Sequence, residues 1–159
     1  MTDFFSFNET TSAIYKDIAK EFYSLRNGII SETLRKSGIP HKYIWGLQLV
    51  QIADVSKRYS KDNVLADELW NHNESREARL LAIHLFNPET IAQEKAMKLI
   101  EEVLSREEAE ILAFKLLKYL PYAKSLLESE WLRTDKDIIY SQYCLEMLRK
   151  NLIAMGIIA

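Results

Sequence analysis

Apolar residues recur at helical spacing through most of the chain. Leu65, Leu69 and Trp70 stand at i, i+4, i+5, and Ala78, Leu81, Ala82 and Leu85 form a matching stripe beyond a polar break at 71–74. The spacing predicts two antiparallel helices joined by a short turn, with Ala78 and Ala82 small enough for close approach. Such a hairpin is the unit from which α-solenoids are stacked. The rest of the chain is organised around it.

Upstream, a short apolar lead (Phe4, Phe5, Phe7) precedes Thr10 to Ser12, which are N-cap residue types. Ile14, Ile18, Phe22 and Leu25 follow at helical spacing, and Asn27-Gly28 is expected to end that helix, with Gly28 in the left-handed conformation. Ser31 is expected to cap a brief helix to Lys36, stopped by Gly38 and Pro40. An aromatic connector, 43–46, leads into a helix over 47–59 with Leu49, Val50, Ile52 and Ala53 turned inward.

Downstream, Asn87-Pro88 reads as an N-cap and N1 proline opening a helix through Ile91, Met97, Ile100 and Val103. Ser105 and Glu108 have capping-box spacing. The helix they open carries Ile111, Leu112, Phe114, Leu116, Leu117 and Leu120, and is expected to be the most buried in the chain. Pro121 starts a short helix to 132, and Thr134 or Asp135 caps a last helix over 136–155. The expectation is eight or nine helices and no strand. A HEAT/ARM-like α-α superhelix and an irregular bundle both suit this pattern, and it is chiefly the family resemblance given below that favours the superhelix.

Composition agrees. With 159 residues the chain fits a single domain, 1–159, and four glycines and three prolines are too few for a turn-dense β fold. Cys144, the single cysteine, excludes an intramolecular disulfide and a cysteine-based zinc site, and its neighbours Tyr143 and Leu145 suggest a packed thiol. His41, His72 and His84 have no ligand spacing, so no metal is expected, and without a glycine-rich phosphate loop no cofactor is expected either. Residues 1–11 lack the basic and apolar regions of a signal peptide, and no run is long and apolar enough for a transmembrane helix. A reducing cytoplasm is the expected location.

The formal net charge of −2 does not mark the whole molecule as a polyanion binder, but the charge is unevenly spread. Segment 26–61 holds seven basic residues against two acidic ones, Glu32 and Asp54. Arg26, Arg35, Lys36, Lys42, Lys57 and Arg58 interleave there with Tyr43, Trp45 and Tyr59, as backbone contact and base stacking require. Arg76 and Arg79 are further candidates, with salt bridges to Glu77, Asp67 or Glu68 as the structural explanation. Conversely, 89–110 holds seven glutamates, which suits solvated helix faces or a basic protein partner.

Three stretches together resemble the bacterial DNA alkylation repair enzyme family, the HEAT-like alkylpurine DNA glycosylases. They are RNGIISETLRKSGIPHKYIWGLQLVQIADVSKRY (26–59), the hairpin with LADELW and REARLLAIHL, and SREEAEILAFKLLKYLPYA (105–123). The resemblance implies a concave superhelix around duplex DNA. It also implies cleavage of the N-glycosidic bond of cationic alkylpurines, with a carboxylate stabilising the developing oxocarbenium charge. Active members carry Trp-Asp-x-x-Asp where this chain has Arg106, Glu107, Glu108, Ala109, Glu110. Arg106 thus stands for the tryptophan and Glu110, the candidate catalytic residue, for the essential aspartate. The family's later arginine is due near 140–143, where this chain has none, and Arg149 and Lys150 come two turns later. The chain also reaches Ala159 without the further repeats of longer members.

The expectation is therefore a HEAT-like, DNA-binding relative in which the family's catalytic pattern is not preserved. Its partner would be duplex DNA, with the protein a monomer or homodimer. An active alkylpurine glycosylase using Glu110, and a protein-interaction scaffold, are the alternatives.

Overall fold

The computed structural model describes residues 9–131 and 139–159, with side chains described over 13–130 and 140–159. Among the described residues there are nine α-helices and no strand, as an all-α fold requires. They form two compact units, Met1–Leu85 and Phe86–Ala159. Phe4, Phe5, Phe7 and the expected caps Thr134 and Asp135 lie outside the described residues.

The first unit holds α1 (Glu9–Leu25), α2 (Gly28–Lys36), α3 (Leu49–Ser56), α4 (Asn63–Asn71) and α5 (Arg76–Leu85). Thr10 to Ser12 lie inside α1 rather than capping it, and α1 buries Ile18 and Phe22. Asn27-Gly28 starts a helix instead of ending one. Asn27 is extended at φ −139, and its side chain accepts from the Ile29 and Ile30 amides at 3.0 and 3.1 Å. Gly28 is thus the first residue of α2, and the Ser31 hydroxyl, freed from capping, donates to the Ile44 carbonyl at 2.6 Å.

The predicted hairpin is α4 and α5, with Asp62 capping α4 through the Val64 and Leu65 amides. All the stripe residues, from Leu65 to Leu85, are buried, Trp70 completely. Nine of the ten residues of α5 are buried, which makes it more enclosed than the helix the sequence singled out. In α3 the inward pair is Ile52 and Val55, whereas Leu49 and Val50 are 43% and 61% exposed. Leu47, completely buried ahead of the helix, occupies the core position that Leu49 was expected to fill.

The second unit holds α6 (Gln93–Glu102), α7 (Arg106–Lys115), a 3-10 turn (Leu117–Tyr119), α8 (Ala123–Trp131) and α9 (Ile139–Ala154). Asn87-Pro88 closes one turn only: Asn87 accepts from the Glu89 amide, and α6 begins later, behind Ala92. Ser105 caps α7 through the Glu108 amide, as its spacing predicts. The Glu108 carboxylate reaches one residue further back than a capping box requires, to the Leu104 amide at 2.9 Å. α7 ends at Lys115, so Leu116, Leu117 and Leu120 pack from the turn that follows it, and Phe114 is 45% exposed. Cys144 is buried in α9, a packed thiol.

Candidate functional site

The basic and aromatic residues of the first unit converge on the connector between α2 and α3. Its Tyr43 amide donates to the Glu74 carbonyl at 2.7 Å and its Tyr43 carbonyl accepts from the Arg76 amide at 3.1 Å. The completely buried Glu77 carboxylate accepts from the Trp45 and Gly46 amides at 2.9 and 3.1 Å. Arg76 completes the clamp, donating to Glu77 at 2.6 Å and to the Leu47 carbonyl at 2.9 Å. On the other side, Gly46 at φ +85 lets the chain pass against α2, where a Cβ would stand 2.1 Å from the Asn27 carbonyl oxygen.

Because the connector is extended, its side chains alternate: Ile44 is buried, while Tyr43 and Trp45 turn outward, Tyr43 to 47% exposure. Trp45 meets the Tyr23 ring edge-on at 5.9 Å, and the Arg26 guanidinium lies 3.8 Å over Tyr23. The Lys42 ammonium is 5.3 Å from the Tyr43 ring. Two sets of contacts therefore adjoin along the connector: Arg26, Tyr23 and Trp45 in one, and Lys42 with Tyr43, two residues from Trp45, in the other.

The other candidates have local partners. Arg35 donates to the His41 and Lys42 carbonyls at 3.1 Å, bracing the connector. Lys36 pairs with Glu32 and Lys57 with Asp54 on their own helices, both in largely exposed pairs that hold their charges weakly. Arg58 pairs with Glu21 of α1. Arg76 and Arg79 are corrected from surface candidates to interior residues, 2% and 3% exposed. The Arg79 guanidinium stacks 3.4 Å over Trp70 and donates to the Trp70 carbonyl at 3.2 Å, inside the hairpin.

In the second unit, Glu110 is exposed on α7 and accepts from the Tyr143 hydroxyl of α9 at 2.5 Å. Arg106, one turn earlier, lies 4.6 Å over the Tyr143 ring. Arg106 and Glu110 thus meet at Tyr143, which lies in the stretch 140–143, and the contact brings together a guanidinium, a carboxylate and a phenol. Among the described residues no three His, Cys, Asp or Glu side chains are grouped to hold a metal ion.

Two contributors escaped sequence reading. Glu77 was expected only as a salt-bridge partner of the arginines, which it is for Arg76; its hold on the Trp45 and Gly46 amides carries no sequence signal. Tyr23 stands three residues before Arg26 in the last turn of α1, a spacing that puts both on one side.

A buried helical hairpin, with further helices around it and cations on exposed aromatic rings outside it, defines an all-α protein among the described residues. Among known families, the chain matches the DNA alkylation repair enzyme family over residues 18–135, most of its length, and it belongs to that family. No curated protein and no solved structure matches it significantly.

Proposed function

We propose that this protein is a DNA-binding member of the family, its helix pairs stacked as a HEAT-like scaffold. The observation that carries the reading is exposed Arg26, Tyr23, Lys42 and Tyr43 beside half-buried Trp45, on a connector held by the buried Glu77–Arg76 pair. Cations seated on aromatic rings supply both backbone neutralisation and apolar surface against the sugar-phosphate chain. Lys36 and Lys57, weakly paired, add charge at the margins. Replacing Arg26 and Lys42 together by alanine is expected to weaken duplex binding about tenfold or more at 50 mM salt, measured by fluorescence anisotropy. Unchanged affinity would place duplex contact elsewhere.

The contact between Tyr143 and Glu110 favours a second reading, in which Glu110 serves as the family's catalytic carboxylate. A carboxylate held by a hydroxyl donor beside an aromatic ring is oriented for charge stabilisation at a deoxyribose. Against it stands the extra methylene of glutamate, where placement governs the rate. Base release from methylated DNA that is lost in Glu110→Gln would establish this reading, and no release by the intact protein would end it.

A further inference from the structure

Beyond Tyr143, the outer edge of α7 continues into a second aromatic surface. Phe114 is 45% exposed and Tyr119, in the 3-10 turn, 53% exposed. The Lys118 ammonium stands between them, 3.6 Å from the Phe114 ring and 5.1 Å from the Tyr119 ring, with Lys115 5.2 Å from Phe114. Three cation–ring contacts thus gather on Phe114 and Tyr119.

The buried stripe of α7 and its early end together produce the arrangement. Within α7 the buried stripe runs through Ala109, Leu112 and Ala113 and leaves Phe114 outside it; at Leu116 the backbone leaves the helix at φ −128, ψ −62, and the turn that follows buries Leu117 and leaves Tyr119 outside. Core packing does not need those two rings.

We infer that Phe114, Lys118 and Tyr119 form a stacking platform for an unpaired strand of DNA, separate from the duplex-contacting group of the first unit. The inference rests on the DNA-binding reading above. Its physical basis is the order ring, cation, ring. Exposed rings can stack only on bases whose faces are free, and in a duplex those faces are covered by neighbouring base pairs. Lysine, on a flexible stem, leaves the ring to meet the phosphate between two stacked bases, and Lys115 supplies a second cation.

The test uses the full chain with fluorescein-labelled 12-nucleotide oligothymidylate, and a duplex of the same length, across a salt series. Phe114→Leu with Tyr119→Leu removes the rings but keeps apolar volume; Lys115→Ala with Lys118→Ala removes the cations. All four positions lie outside the core, and a circular dichroism melt checks each fold. The expected result is that the ring variant loses roughly tenfold or more in oligothymidylate affinity, with duplex affinity changed less than about twofold. The lysine variant is expected to flatten the oligothymidylate salt slope by about 1.4, two phosphates at about 0.7 each. Oligothymidylate binding indifferent to the ring variant, or duplex binding without oligothymidylate binding, would overturn the platform and leave the DNA-binding reading standing. Ring-dependent oligothymidylate binding without duplex binding would keep the platform and end the duplex reading.

Discussion

The Glu77 carboxylate does for the first unit what a hydrogen-bonded strand does elsewhere: it satisfies two amides of an extended segment that has no helix to satisfy them. Its negative charge is met by Arg76 at 2.6 Å, so neither charge is left alone in the interior. Removing one partner strands the other, and Glu77→Ala is expected to cost about 3–5 kcal/mol in urea unfolding. A loss under about 1 kcal/mol would mean that the connector is held by other contacts. Gly46→Ala attacks the same join from outside, forcing φ +85 on an L residue and driving a Cβ into the Asn27 carbonyl. Glu68 gives a pH-dependent test. Burial raises its carboxyl above the ordinary value while His72 opposes the shift, and its Oε2 has no hydrogen-bond partner among the described residues. A carboxyl raised on folding lowers stability when ionised; that cost vanishes below the unfolded value, about 4.3, and is complete above the folded one. Glu68→Gln should therefore raise the Tm at pH 7 and leave it unmoved near pH 3. A gain that persists at pH 3 would assign the effect to packing instead.

The helices differ in how openly their sequences declared them. The α4–α5 hairpin was legible because every stripe residue is apolar and every one is buried. Its arginines were not, since Arg79 on Trp70 and Arg76 on Glu77 are interior partnerships that residue type alone places at the surface. Asn27-Gly28 was misread because asparagine before glycine suits a helix end as well as a helix start; the choice fell to tertiary structure, through the connector crossing at Gly46. Phe114 was misread because apolar count, rather than its place beside the buried stripe of Ala109, Leu112 and Ala113, was used to judge burial. These assignments separate in a stability experiment. Leu112→Ala, in the interior of α7, is expected to cost about 2–5 kcal/mol, and Phe114→Ala less than about 1 kcal/mol. Equal losses would mean that the Phe114 ring packs in the core. Asn27→Ala is expected to cost about 1 kcal/mol as a lost N-cap, read from the unfolding midpoint.

For the molecule, membership of the family and an all-α fold are the fixed points, and no described helix is long and apolar enough to cross a membrane. The superhelical stacking and the DNA ligand are the account's proposals. Net charge gave little guidance, because a total of −2 hides the concentration of cations in 26–61. Of the candidates in that segment, four lie at the connector and others brace helices, while the two arginines of α5, outside the segment, are interior. The direct trial is binding of a fluorescent DNA duplex by the intact protein across a salt series. With Arg26, Lys42, Lys36 and Lys57 each meeting a phosphate, log affinity against log salt is expected to fall with a slope of about −3 to −4. No binding at 50 mM salt would contradict the account, and would leave the family fold serving a protein partner.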